Sequence, residues 1–389
     1  MKILMIHPHD LYSAMEPWTI RMIKLAEQLA SKGHQVKIAY FPMTKCEESF
    51  LGAVHAIPLE RIISTATLIR NIKALCALSR EADLVHLQKS HFYAAIPAVL
   101  AAYWCGKPLH YDWDDWEEKI FYASLHKKTL TAVVTGISFW SMERCLPFLA
   151  DSVSVASEKL KKLAMRRGVD ARKISLVPVG ADAALFHVGA KEAQAVRKKY
   201  NINDELLVLY QGQLHDCQYV KLFLKAAKTI SDNPGARHMK FMVLGDGSQL
   251  EALKKFSKTL ELRESIIFVG SVPHSDVPMY IAAADICIAP FEDNEITRCK
   301  SPLKIVEYLA SGKAIVASDV GEVRNMMGDA GIIVPAGQPD RIAAGIMELA
   351  GDDARRKTMA VAARRRVEIK YNWRSSAEAL EKAHEALVS

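Results

Sequence analysis

The chain has 389 residues, half of them hydrophobic, with a formal charge of +7 and 7 cysteines. At about 100–200 residues per domain this length predicts two domains with cores of ordinary size, and the composition excludes large-scale disorder. The cysteines are scattered, odd in number and without a CxxC pair, which points to a reducing, cytoplasmic compartment and no disulfide framework.

The elements alternate from the start. KILMIH (2–7) reads as a strand, and the stretch from Thr19 to Lys32 as a helix stopped at Gly33. Strands follow at 35–41, 83–87, 107–112, 152–156 and 174–179, with an apolar helix, FYAAIPAVLAAYWCG (92–106), between the second and third of these. A polar, Lys-rich seam at about 187–203 precedes a second series, with strands at 206–211, 239–245, 266–270, 285–291, 313–318 and 331–336. Helical patterns intervene at about 220–231 and 248–260, and the tail from Trp373 to Val388 reads as an amphipathic helix that crosses back over the halves. Strand and helix in such repetition argue for parallel sheets covered on both faces, hence an α/β chain of two doubly wound units. The expected boundaries are 1–190 and 191–372, with 373–389 packing back on the first unit.

The runs at 92–106 and 129–142 fall short of the roughly 18–20 residues that span a bilayer. Both read first as core helices, the second with a membrane-surface alternative. MKILMIHPHD does not have the layout of a signal peptide. Up to residue 190 there are 23 basic against 18 acidic side chains, and beyond it 28 against 26. That small excess fits either simple solubility or peripheral contact of the first half with anionic lipid or substrate. No basic run interleaved with aromatics indicates nucleic-acid binding, and no GxSxG elbow, HExxH helix or P-loop is present.

In open α/β sheets ligands bind beyond the carboxyl ends of the strands. SPLKIVEYLASGKAIVAS (301–318) is the segment best suited to such a site. Ser301 reads as an N-cap and Pro302 as the first helical residue, with Leu303 and Lys304 in the first turn and Gly312 closing the helix. Free amides at its start suit a phosphate, and Glu307, one turn beyond Lys304, suits a ribose diol. The alternative is a capped surface helix with an ion pair. GDG at 245–247 is too short for a dinucleotide fingerprint and reads as a turn. Asp112, Asp114 and Asp115 within HYDWDDWEE could form a cation site or a sugar-binding rim beside tryptophans. His86, His91 and His110 lack ligand spacing and read as core or loop histidines.

The helix at 301–310 and its following turn resemble the donor site of retaining glycosyltransferases with the GT-B fold, family four (glycosyl transferases group 1). LAEQLASKGHQVKIAY, ADSVSVASEKLKKL, ISLVPVGADAALF, FMVLGDGSQLEALKKF, IIFVGSVPHSDVPMYIAAADICIAPF and ASDVGEVRNMM extend the likeness, in order, over nearly the whole chain. The resemblance implies two Rossmann-like domains with a cleft between them, acceptor on the first and donor on the second. It also implies transfer of a hexose-type sugar from a nucleotide diphosphate sugar to a glycan, lipid-linked or small-molecule acceptor, as in cell-envelope polysaccharide, glycolipid or glycoconjugate synthesis. No cofactor and no metal are expected, and the place of work is the cytoplasm or the inner face of the membrane. Gly212, Gln213, Gln218, Gly245, Asp246, Val272, Lys300, Ser301, Pro302, Leu303, Lys304 and Glu307 fall in donor-site positions. Asp10, Tyr12, Ser13, Glu16 and Trp113 fall in the acceptor region, and Asp114 takes the place of the family's active-site histidine.

Several positions depart from the family's pattern. The first glutamate of its pair falls on Cys299, the diphosphate-binding Arg and Lys fall on Gln213 and Gln218, and the Gly-Gly of the first loop falls on Glu16 and Pro17. Charge-assisted hydrogen bonds are about twice as strong as neutral ones, so other cations should compensate. Arg298, with a catalytic role, and Lys300 are the expected substitutes, and Lys304 the weaker one. The second reading is a catalytically degenerate relative that acts as a binding or regulatory partner. A related GT-B activity, such as sugar-nucleotide epimerisation or phosphorolysis, is a third.

Overall fold

The computed structural model describes residues 1–12, 16–44, 46–61, 64–125, 129–215, 219–233, 238–262 and 264–388. Ser13 and Gln218, expected in the acceptor and donor sites, lie outside them. The chain divides into two units. The first holds Met1–Val179, Cys299–Ser301 and Trp373–Ser389, and the second Gly180–Arg298 and Pro302–Asn372. The division thus falls at 179/180, before the polar seam, whose helix Ala190–Lys199 goes with the second unit.

The first unit contains β1 (Lys2–His7), β2 (Gln35–Tyr40), β3 (Ser49–Leu51), β4 (Val54–Pro58), β5 (Leu84–Gln88), β6 (Leu109–Trp113), β7 (Ser152–Val155) and β8 (Ile174–Leu176). They form one sheet in the order β3-β4-β2-β1-β5-β6-β7-β8, parallel except for β3 against β4. β5, β6 and β7 are buried along their whole length, as strands covered on both faces must be. The second unit contains β9 (Leu206–Gln211), β10 (Met239–Leu244), β11 (Ile266–Gly270), β12 (Ile286–Ala289), β13 (Ala314–Ser318) and β14 (Gly331–Val334), ordered β11-β10-β9-β12-β13-β14 and all parallel.

Each sheet reverses its direction of growth once. From β1 the chain builds outward through β2, and from β5 outward the other way. From β9 it builds through β10 and β11, and from β12 through β13 and β14. The carboxyl ends of β1/β5 and of β9/β12 are therefore the two switch points, where loops part and leave a crevice.

The helix Trp373–Val388 packs in the first unit, where Glu381 is paired with Lys32 and accepts from His34 Nε2 at 2.8 Å. His384 on this helix meets His86 of β5 (Nδ1 to Nε2, 3.2 Å). His110 of β6 stacks on His86 with ring centroids 5.0 Å apart. All three imidazoles are fully buried, and burial pushes His86 down to about 3. The three residues bring ring nitrogens within 4.8 Å of one another, and both His110 nitrogens are bonded to the hydroxyls of Ser152 and Ser154. His86 and His110 lie in the core, one of the two placements the sequence left open, and His384 joins them there.

The run at 129–142 departs from expectation. It belongs to a longer helix, Leu130–Leu149, whose inner face carries Gly136, Phe139, Glu143, Leu146 and Pro147 and whose outer face is exposed. Among the described residues no helix is long and apolar enough to cross a membrane.

Candidate active site

In the second unit the loops after β9 and β10 are stitched together. Gly212 N donates to Leu244 O at 3.0 Å, and Leu214 N to Asp246 O at 2.9 Å. Gly245 has φ +141°, and a Cβ there would lie 1.9 Å from the Gly212 carbonyl oxygen, so only glycine lets the two loops meet. Gly212 itself has φ +144°, and a Cβ on it would strike the Lys304 ammonium at 2.7 Å.

Lys304 comes from the helix Leu303–Ala310. Its ammonium lies 4.0 Å from the centre of the Tyr210 ring, at the end of β9, and 5.7 Å from that of Phe291, just past β12. A cation therefore stands at the switch point beside Gly212. Side chains on a helix lean toward its N-terminus, which is how a first-turn lysine reaches back there.

Glu307, one turn on, is 1 % exposed. His274, two residues past Val272 in the loop after β11, brings Nε2 to 2.8 Å from Glu307 Oε1. Glu307 Oε2 is buried and accepts no hydrogen bond from the described residues. An unsatisfied buried acceptor costs about 1–3 kcal/mol, more when charged, so this oxygen suits a hydroxyl donor from a ligand.

Two expectations for this helix need correction, the cap and the reach of Arg298. Pro302, not Ser301, holds the N-cap position, and Ser301 Oγ instead accepts from Val179 N at 3.4 Å within the first unit. Lys300 groups with the first unit as well. Arg298 is not folded over the helix start: its guanidinium grips Asp293 through Nε at 2.5 Å and Nη2 at 2.7 Å. Cys299 is fully buried in the first unit's core, and its carbonyl accepts from Ser157 Oγ at 2.6 Å. Gln213 and Asp246 are exposed on the two stitched loops.

At the switch point of the first unit, His7 closes β1 and Gln88 closes β5. Burial pushes His7 down to about 3, so the ring is neutral: Nδ1 donates to Gln88 Oε1 at 2.7 Å and Nε2 accepts from Thr19 Oγ1 at 3.2 Å. The Gln88 amide donates to Trp18 O at 3.0 Å and to Asp114 Oδ2 at 3.2 Å. Lys89 follows with φ +63°, a strained value for a residue with a Cβ. Its buried ammonium lies 3.0 Å from Asp114, 3.7 Å from Asp115, against Glu117, and 4.6 Å from the Trp18 ring centre. Burial disfavours that charge, but the carboxylates more than offset it and the lysine stays protonated. Burial pushes Asp114 up to about 6, against the pull of Lys89.

The acidic cluster thus has its counter-charge within the chain. Asp114, Asp115 and Glu117 are close enough together for a cation, but Lys89 already sits among them. Asp112 serves elsewhere: Arg21 grips both its oxygens at 2.9 Å, wholly buried. Burial alone would raise the Asp112 carboxyl, and the guanidinium instead holds it well below the usual range. Such a pair ties the helix Pro17–Ser31 to β6, and removing one partner typically costs about 3–5 kcal/mol.

Trp113 does not face the acceptor region. It is buried in the core, and its Nε1 donates to Glu143 Oε1 at 3.1 Å. Glu16 is the N-cap residue of its helix and lies 3.1 Å from His9 Nδ1. Asp10 accepts from Tyr12 N at 2.9 Å, and the exposed Tyr12 hydroxyl bonds Ser49. Beside them the Trp18 ring stacks on His91 at 5.7 Å and tilts toward His9 at 5.2 Å. Trp18, Gln88, Lys89 and His274 are the residues that sequence reasoning missed.

Both units thus carry a polar site at a switch point, the arrangement of a two-domain transferase. A family model described as "Glycosyl transferase 4-like domain" matches residues 20–180, and one described as "Glycosyl transferases group 1" matches 205–352. The chain belongs to the group 1 glycosyltransferases, which have the GT-B fold, and is a nucleotide-diphosphate-sugar-dependent glycosyltransferase homologous to the retaining family-four enzymes.

Among curated relatives it is 22 % identical over 357 residues to alpha-D-kanosaminyltransferase of Streptomyces kanamyceticus, covering 91 % of this chain and 88 % of the relative. It is 25 % identical over 387 residues to phosphatidyl-myo-inositol mannosyltransferase of Mycolicibacterium smegmatis, covering 96 % and 90 %. Among solved structures, sucrose-phosphate synthase from Thermosynechococcus elongatus superposes with a TM-score of 0.78 at 19 % identity, over 100 % of this chain and 99 % of that one. HepE of Anabaena in complex with UDP-glucose superposes with a TM-score of 0.75 at 16 % identity, over 100 % of both.

Proposed function

We propose that this chain transfers a hexose from a nucleotide diphosphate sugar to an acceptor hydroxyl with retention at the anomeric carbon. The acceptor is a glycan, a lipid-linked sugar or a small molecule, in the making of a cell-envelope polysaccharide, glycolipid or other glycoconjugate. It works in the cytoplasm, at the inner face of the membrane. The observation that carries the reading is that one helix presents both Glu307, with one buried oxygen unclaimed by the described residues, and Lys304, beside Gly212 at the switch point of the second sheet.

In this reading Glu307 accepts the ribose diol, with His274 fixing its other oxygen. Lys304 and the amides at the start of Leu303–Ala310 meet the diphosphate, where Gln213 supplies no charge. Gly212, Gly245, Asp246 and Val272 border the nucleotide. As the carbon–oxygen bond to the diphosphate breaks, negative charge grows on the leaving oxygen, and a lysine already in place stabilises it without reorganisation. The leaving phosphate oxygen takes the acceptor's proton, so no separate base is required. Asp114, held by Lys89 and Gln88, orients a sugar hydroxyl, and the Trp18 wall with Asp10, Tyr12 and Glu16 borders the acceptor.

The test is calorimetric titration with UDP-, GDP- and dTDP-hexoses, then turnover on a panel of acceptors with the anomeric configuration of the product read by NMR. Binding of a nucleotide sugar and a retained configuration support the reading. Failure of every nucleotide sugar to bind overturns it.

A further inference from the structure

The helix Leu130–Leu149 is predominantly apolar, yet only one side is covered. Leu130, Val133, Val134, Ile137, Trp140 and Phe148 recur at helical spacing along its outer face and are all exposed, Leu130 at 82 % and Val134 at 59 %. A row of large apolar side chains over twenty residues of helix is more than scattered surface hydrophobes. Tyr122 adds an exposed aromatic ring, its hydroxyl seated against Gly136.

Charge indicates what covers this face. From 119 to 150 the sequence contains Lys119, Lys127, Lys128 and Arg144 against Glu143, with Glu117 and Glu118 immediately before that stretch. Glu143 is on the inner side, fully buried, accepting from Trp113 Nε1 and from the amides of Glu117 and Glu118. The outer face therefore shows no carboxylate of its own helix. Arg144 lies 4.5 Å from the Trp140 ring centre and donates from Nη1 to Glu118 Oε2 at 2.8 Å, so its charge is already paired, while Met165 and Arg166 are exposed near Phe148, whose ring reaches Gly168. Apolar side chains with an interfacial tryptophan and cations at the margin suit the boundary between acyl chains and anionic headgroups.

We propose that the outer face of Leu130–Leu149 is a docking surface for an anionic lipid bilayer, on which the helix lies in the interfacial plane. This rests on the membrane-surface part of the function proposed above and not on sugar transfer. It deepens that part by assigning the contact to one helix face rather than to diffuse basic charge.

The test is co-sedimentation of the full chain with vesicles of phosphatidylglycerol and phosphatidylcholine in equal parts, against vesicles of phosphatidylcholine alone. Wild type should bind the anionic vesicles more strongly and lose part of that binding at high salt. The doubly substituted Val134→Glu, Ile137→Glu chain, with its melting checked against wild type, should bind at least about tenfold more weakly. Trp140→Phe should remove a blue shift of tryptophan emission seen on vesicle addition.

No binding of wild type to anionic vesicles overturns both the docking surface and the membrane location. Equal binding by the double variant overturns the helix assignment alone. A wild-type dimer in light scattering that the double variant splits into monomers, without vesicle binding, assigns the face to a second copy and overturns the proposal. Nucleotide-sugar titration of the same proteins reports separately on the donor site, so its failure and the failure of the docking surface are told apart.

Discussion

Glu307→Gln is the sharpest perturbation of the donor site, because it removes charge while keeping volume and planarity. The residue is buried, with Oε1 2.8 Å from His274 Nε2 and Oε2 unclaimed by the described residues. A hydrogen bond to a charged acceptor contributes about 1.5–3 kcal/mol, against about 0.5–1.5 for a neutral one. Losing the whole of the former, at about 1.4 kcal/mol per tenfold, weakens donor binding roughly 10- to 150-fold. The ligand-free chain should hold its stability to within about 1 kcal/mol, since the amide oxygen still accepts from His274 and no cavity opens. Calorimetric titration with the best nucleotide sugar and with its free nucleotide gives the affinity, and thermal melting the stability. Because the contact is to the ribose, both ligands should weaken alike. An affinity within twofold of wild type, with melting unchanged, would refute the assignment of Glu307. Loss confined to the sugar-bearing ligand would move it to the hexose.

Lys304→Ala should weaken donor binding at least about tenfold, as for a lost charge-assisted bond, while Arg298→Ala, whose guanidinium is occupied by Asp293, should change it by less than about threefold; titration of both variants decides between the two cations. Gly245→Ala should cost more than about 2 kcal/mol in a denaturation series, because its Cβ would overlap the Gly212 carbonyl and its φ of +141° disfavours a side chain. Burial pushes Glu143 up to about 8, so the folded state holds a proton that the unfolded chain releases near its ordinary value of 4.5. Wild-type stability should therefore fall as pH rises from about 4.5 to about 8, by a few kcal/mol at about 1.4 kcal/mol per pH unit. Glu143→Gln should flatten that part of the melting-temperature profile.

The strand pattern was legible because buried parallel strands are continuous apolar runs, and those at 2–7, 206–211 and 266–270 fall where expected. Ser49–Leu51 and Val54–Pro58 escaped notice, since a short edge pair with polar neighbours has neither a run nor a clear alternation. Trp113 was misplaced against a signal that was present. Alternate strand residues face opposite sides, so Trp113 had to turn away from the side of Asp112 and Asp114. The direction of Lys304 was also readable, because a long side chain in a first turn leans back past the helix start. His274 was not, since nothing local marks a partner that lies 33 residues from Glu307. Ser301 followed the usual capping pattern, but the hydroxyl was claimed by the Val179 amide, a tertiary contact no local pattern contains.

The departures from the family's pattern separate a rebuilt site from an eroded one. A pocket released from selection has no reason to keep a fully buried carboxylate with an oxygen unclaimed by the described residues, three positive-φ glycines at 212, 245 and 247, or a buried lysine at φ +63°. The unsatisfied buried oxygen and the left-handed Lys89 backbone each cost stability, and the glycines are needed only where the two loops meet. They stand at the two switch points, and the charge missing from Gln213 is matched by an ammonium beside Gly212 that comes from the neighbouring helix. Gln213→Arg tests that account directly. Residue 213 is exposed, so an arginine fits there without disturbing the core. If Lys304 already supplies the charge, a second cation adds little, and like-charge repulsion offsets part of any gain. Donor affinity and turnover should then stay within about threefold of wild type. In the Lys304→Ala background the same arginine should recover a substantial part of the lost affinity. A rise in turnover of tenfold or more from Gln213→Arg alone would show that the present site lacks a charge it needs, and the eroded reading would replace this one.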